Sequence, residues 1–206
     1  MQTPARADPP YVPIRHTAWP TRKTPRWLLA AGLLVLAAGV LAGIAVHPSR
    51  SQRAADLNGF LADMKTDIQS CAGGVRDSLT AMRSIEAGTS HDAGTAIGIA
   101  SYGSQNCSPA NNMQLDDLVG YQVHESLSSF RLNRVVYGLV DWATPDALRV
   151  QADVAAVLGG RAAARASAKL AADLRILDKQ RAYLDRIMLA AIRATGASGH
   201  PPPLPG

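Results

Sequence analysis

Residues 27–46 read WLLAAGLLVLAAGVLAGIAV, twenty positions without one ionisable side chain. At about 1.5 Å of rise per residue, such a run reaches roughly 30 Å as a helix, the thickness of one bilayer hydrocarbon core. A core helix of a water-soluble domain carries a polar stripe, and this run has none. Its flanks are unequal. Arg15, Arg22, Lys23 and Arg26 precede it, whereas only Arg50 and Arg53 follow before Asp56. The positive-inside rule therefore places the N-terminus in the cytoplasm and residues 48–206 outside. Trp27, with Trp19 nearby, suits the inner interface, and Pro48 keeps the span from continuing unbroken.

A cleaved secretory signal is the competing reading, with Gly43-Ile44-Ala45 as a small-x-small site. The apolar run is long for a signal peptide, and the 26 residues before it are too many. The expectation is an uncleaved signal-anchor and a single-pass protein of the cell membrane. Gly39 and Gly43 form G-x-x-x-G beside Ala38 and Ala42, a small-residue face on which two spans can pack closely.

Charge distribution supports the same picture. The formal net charge is +5, which invites a nucleic-acid reading. Residues 1–50 hold six Lys/Arg against one acid, 6 − 1 = +5, while residues 51–206 hold fifteen of each sign. The excess thus sits beside the apolar run, where it orients a span, and no nucleic-acid partner is expected. Residues 1–26 contain six prolines and are expected to be a disordered, basic cytoplasmic tail. Such a tail is too short for a folded inner domain, though it can lie on anionic headgroups.

Beyond the run, the periodicity is helical. Leu57, Phe60/Leu61, Met64, Ile68, Cys71, Val75, Leu79, Met82 and Ile85 recur at a mean spacing of 3.5. They define a long first helix, with Ser49 as cap, Gly88 as stop and Gly73-Gly74 as a place where it could bend. Residues 90–104 suggest a short helix opening near Asp92. Residues 104–112 are polar and turn-like, and Asn111 or Asn112 caps a helix carrying Met113, Leu115, Leu118 and Val119. Residues 121–130 look irregular. Residues 132–143 form a helix with Val135, Val136, Leu139 and Trp142 on one side, and Thr144-Pro145-Asp146 reads as a fresh helix start. Gly159-Gly160 should end that helix. In the last helix, residues 161–195, Ala163, Leu170, Leu177, Leu184 and Ala191 fall seven apart, a heptad seam.

The fold class expected is all-α. A single transmembrane helix is followed by an extracytoplasmic helical bundle over residues 49–195, with two long helices, several short ones and a disordered Pro-rich tail at 196–206. The seam can pack within the chain or pair two chains as a coiled coil. Residues 51–160 carry a net charge of −5 (seven bases, twelve acids) and residues 161–206 a net of +5 (eight bases, three acids), which favours packing within the chain.

Cys71 and Cys107, both outside under this topology, are expected to form one disulfide. The polar residues that could carry chemistry are His91, Asp92, Asp116, Asp117, His124 and Glu125. They lack the H-E-x-x-H, paired E-x-x-H or paired C-x-x-C spacings of metal sites. Asp92 reads more simply as a helix cap, Asp116 and Asp117 as first-turn acids. No G-x-S-x-G, P-loop or dinucleotide-binding pattern is present either. Gly94-Thr95-Ala96-Ile97-Gly98 lies in a helix-like run and reads as packing.

No enzyme, cofactor or metal is therefore expected. The function expected is that of an envelope scaffold. Its partners are the lipid bilayer and other envelope proteins, or a second copy of the chain, met through the span and the outer helices. The alternative is an extracytoplasmic small-ligand-binding or sensing domain signalling through a membrane partner, with the 104–112 loop as a pocket rim.

Overall fold

A computed structural model describes residues 32–34, 48–160 and 163–205. The chain divides into two units, Met1–Val46 and His47–Gly206. In the first, residues 32–34 are helical, with Leu33 and Leu34 70% and 71% exposed. The rest of the expected span, Gly39 and Gly43 included, and the tail 1–26 lie outside the described residues. Among the described residues no helix is long and apolar enough to cross a membrane.

The second unit is all-α in its described residues. Its elements are α1 (Arg50–Glu86), α2 (Ala93–Gln105), α3 (Met113–Val119), a 3-10 turn (Glu125–Phe130), α4 (Asn133–Asp141), a π turn (Trp142–Ala147), α5 (Leu148–Leu158) and α6 (Ala163–Thr195). α1 starts where the Ser49 hydroxyl accepts the Gln52 N–H at 3.1 Å. It stops at Gly88, whose φ of +67° favours glycine. Its 3.5-residue line of Leu57, Met64, Ile68, Cys71, Val75, Leu79 and Met82 is buried, and α2, α3, α5 and α6 gather around it.

α1 runs through Gly73-Gly74 without interruption. The helix-weakening cost of Gly74 has a packing reason instead: a Cβ there would lie 2.7 Å from the Gly103 Cα of α2. The two helices cross backbone to backbone, and only a pair of glycines permits it. Three residues before Gly74 and four after Gly103, Cys71 and Cys107 are fully buried with their sulfurs at disulfide distance. The bond therefore clamps the crossing that the glycines allow. Closing a loop with a sequence separation of 36 contributes about 4 kcal/mol in the chain-entropy picture.

The short elements follow their caps. The Asp92 carboxylate accepts the Thr95 N–H at 2.9 Å, and the Thr95 hydroxyl and backbone together hold its carboxyl below the usual range. Asn112 caps α3 through Gln114 N–H at 3.1 Å and ties the polar loop by donating to Asn106 O at 2.6 Å. Of the four apolar residues that α3 carries, Leu115 and Leu118 are buried, whereas Met113 and Val119 are 84% and 51% exposed. Seven residues make two turns, too few to cover both sides.

Two further expectations are corrected. Thr144-Pro145-Asp146 does not restart a helix. α4 passes into α5 through a π turn that holds Pro145 inside it and buries Trp142, Ala143, Asp146 and Ala147. A wider turn accommodates a ring without an N–H, which an ordinary helix interior rejects. The segment 196–206, expected to be a disordered tail, folds back along α1 in its described residues. Asn58 Oδ1 accepts the N–H groups of Ser198 and Gly199 at 3.1 and 2.8 Å. Arg76 donates to Pro203 O at 3.3 Å, and Leu204 is buried. Proline costs little entropy to order, so a few polar ties and one leucine suffice.

α6 lies mainly on α5 and also meets α1 and α4. Leu170, Leu177, Leu184, Met188 and Ala191 are buried within the chain, so the heptad seam is spent internally. Lys169 fixes α6 to α5 by donating to Asp153 at 2.6 Å, and it also donates to Asp173 one turn along α6 at 3.2 Å. At the far end Arg50 Nε donates to Thr195 O at 3.2 Å, which joins the start of α1 to the end of α6.

Candidate functional site

The polar residues singled out from sequence are not brought together. His91 and Asp92 follow the C-terminus of α1, whereas His124 meets Asp56 near its N-terminus, with Nδ1 3.4 Å from Oδ2. Residues 56 and 86 of one helix are about 45 Å apart. Asp92 caps α2, and His124 and Glu125 open the 3-10 turn. Asp116 sits in the first turn of α3. Asp117 lies near Asp67, whose carboxyl is pushed up to about 6 by burial and by Asp63 and Asp117. Among the described residues no three His, Cys, Asp or Glu side chains are arranged to hold a metal ion.

What the fold does assemble is a surface along α6. Ile176 and Tyr183, seven apart, lie nearly above one another, and Ile187, Ala190 and Ala194 continue the line. This row stands to one side of the buried seam, and Ile176 and Tyr183 are 45% and 42% exposed. A helix with one apolar face inward and a second outward has more apolar surface than its own domain uses.

Toward the C-terminus of α6 this row becomes the wall of a cleft of about 520 Å³, closed on the other side by Ser129, Phe130, Arg131 and Arg134. α4 can come so near because Gly138 faces α6. A Cβ there would meet Leu184 Cδ2 at 2.5 Å, and Gln180 Nε2 donates to Gly138 O at 3.1 Å. Arg131 stands at φ +56°, a left-handed conformation that costs a non-glycine residue about 1–2 kcal/mol. That turn sends Leu132 into the core while the exposed Arg131 side chain lines the cleft. Arg131, Arg134 and Arg186 line an otherwise largely apolar cleft, and none of the ion pairs of the described residues involves them.

A second cleft, of about 650 Å³, runs between α1 and α2 beside the disulfide. Gln69, Ser70, Asp77, Thr95, Tyr102 and Asn106 line it, with Gly73 and Gly98 on its floor. Of the stretch 94–98 read as packing, Ala96 is buried, whereas nothing lies within 4 Å of a Cβ at Gly98, which borders open space.

The arginine cleft was missed from sequence although its spacing is visible there. Arg131/Arg134 and Tyr183/Arg186/Ile187/Ala190/Ala194 recur at three and four, but on α6 the stronger heptad line of leucines overlies that spacing. In comparisons with known proteins, the chain matches no protein-family model, no curated protein and no solved structure.

Proposed function

We propose that this is a single-pass, membrane-anchored envelope protein, N-terminus in the cytoplasm, whose helical outer unit binds other proteins and catalyses nothing. The observation that carries the interaction reading is the outward apolar row on α6, Ile176 with Tyr183, left over after the heptad seam is buried. The anchor is supported by the uncharged run 27–46 with its basic N-terminal flank, and by the exposure of Leu33 and Leu34. Lateral pairing through Gly39 and Gly43 belongs to the same proposal.

The test is site-specific photocrosslinking in intact cells from Ile176 and Tyr183, with Lys65 on α1 as a control position. Discrete adducts from the α6 positions, abolished by a neighbouring Arg175→Ala with Lys179→Glu change that alters the same surface, are expected. Diffuse or absent adducts from α6 would remove the interaction reading. A C-terminal reporter active only in the cytoplasm would overturn the topology.

A second reading has one observation in its favour. The α1–α2 cleft combines polar side chains with a glycine floor beside the disulfide, which suits a small polar ligand and a sensing role. A reproducible thermal shift of the purified protein with one ligand, lost on Thr95→Val with Asn106→Ala, is the outcome that reading requires.

A further inference from the structure

One end of the second unit collects arginines from three parts of the chain. Arg50 and Arg53 start α1, Arg131 and Arg134 lie at the 3-10/α4 junction, and Arg186 and Arg193 fall in the last turns of α6. They are brought together by contacts at that end: Arg50 Nε to Thr195 O at 3.2 Å, and Ser126 Oγ to Asp56 Oδ2 at 2.6 Å. The acids near them are few. Asp56 is occupied by Ser126 and His124. Glu125 opens the 3-10 turn. Asp185 is partly buried, with Arg181 as its charged neighbour. The cleft with Phe130 and Ile187 opens on this end, so cationic and apolar surface are presented together. An occupant that matches both is an anionic amphiphile.

We propose that this arginine-bordered cleft binds anionic phospholipid at the membrane surface, with the headgroup phosphate among Arg131, Arg134 and Arg186 and the glycerol-ester region against Phe130 and Ile187. The proposal rests on the anchored reading for its choice of lipid over an acidic protein. In sequence, α1 begins four residues after Val46, the last residue of the apolar run. The end of the unit carrying the cleft is the end joined to α1's start. Guanidinium groups suit phosphate because they donate two hydrogen bonds in one plane, and apolar side chains beside them take the first carbons below the headgroup. Held in this way, the unit would sit at a fixed height and rotation over the bilayer, with the Ile176 end of α6 turned toward partners.

The experiment uses the full-length protein in nanodiscs of phosphatidylcholine, alone or mixed equally with phosphatidylglycerol. Each preparation carries a trace of phosphatidylcholine or phosphatidylglycerol bearing a photoreactive group near the ester, and labelled peptides are mapped by mass spectrometry. The anionic probe is expected to label the peptides containing Phe130 and Ile187, and the zwitterionic probe is not. Replacing Arg131, Arg134 and Arg186 together by glutamine should lower that labelling about a hundredfold, since each basic residue near an anionic surface is worth on the order of fivefold. The triple lysine variant, which keeps charge but loses the planar fork, should fall between the parent and the glutamine variant. A melting curve identical to the parent's confirms that the glutamine variant is folded.

Labelling of residues 27–46 by either probe reads the span separately. Labelled span peptides with an unlabelled cleft would overturn the lipid proposal and leave the anchor standing. Cleft labelling by the anionic probe supports lipid recognition whether or not the span is labelled. Equal cleft labelling by both probes would overturn it. So would loss of labelling on adding soluble glycerophosphoglycerol, which would assign the cleft to a free phosphate ester.

Discussion

The two long helices are built from the same kind of apolar repeat and are used differently. α1 buries its apolar line along its length, under α2 at the glycine crossing, α3 near its middle, the 3-10 turn near its start and the C-terminal strap tied at Asn58 and Arg76, and it exposes no large apolar side chain. α6 buries one line, Leu170 through Ala191, and leaves a second exposed. A helix whose exposed positions are polar or small has no apolar surface left over, so its apolar residues answer to packing alone. A helix with a surplus apolar row has surface that its own domain does not need, which is where interaction is sought. The difference also predicts how each helix tolerates change.

The α1–α2 crossing is where α1 should be least tolerant of change. Gly74→Val should cost at least about 4 kcal/mol, above the usual 1–3 for an overpacked core, because the atoms in the way are backbone and cannot rotate aside. Its neighbour Gly73 faces open space, and Gly73→Ala should add about 0.5–1 kcal/mol through helix propensity. Urea denaturation of the two variants checks both signs at once. Equal effects would mean that the crossing is looser than the glycine contact implies.

On α6 the contrast lies between adjacent lines of one helix. Leu184 is fully buried and lies under Gly138, so Leu184→Ala should lose about 3 kcal/mol. Ile176→Ala should change stability by less than about 0.5 kcal/mol, because nearly half of that residue is already in water. Its effect should appear instead as lost crosslinking at Tyr183. A large stability loss from Ile176→Ala would show that the second row is core after all.

How much of this was legible depends on whether the determinant is local. The helices bounded by Ser49, Asp92, Asn112 and Gly159 were readable because a cap acts on its own next turn. The heptad line on α6 was readable because a period survives any arrangement of neighbours. Pro145 misled because Thr-Pro-Asp has the chemistry of a helix start, and only the burial of Trp142 and Ala147 on both sides keeps the helix running. The strap at 197–204 was invisible because its anchor, Asn58, is some 140 positions away. The glycine crossing has the same difficulty: Gly74 alone reads as a weakness, and becomes a device only beside Gly103. The arginine cleft lies between these cases, each half periodic in sequence and the whole assembled by the Gly138–Leu184 approach.

The smallest effect expected tests how far burial reaches into the charged flank of α1. Asp67 lies part-buried near Asp63 and Asp117, and its carboxyl is raised from 3.8 to about 6, by burial first and then by those two acids. Between about pH 4 and pH 6 the folded chain therefore holds a proton that the unfolded chain has released. Unfolding loses a proton there, so this group lowers stability as pH rises through that window, and the full penalty is present above pH 6. Asp67→Asn removes it. The variant should match the parent below pH 4, diverge between pH 4 and 6, and remain the more stable above. Partial exposure to water keeps the gain modest. Urea midpoints measured across that range check the sign. Parallel curves would mean that solvent screens this flank of α1 as fully as it does the outer row of α6, and the contrast between the two helices would then be confined to their apolar faces.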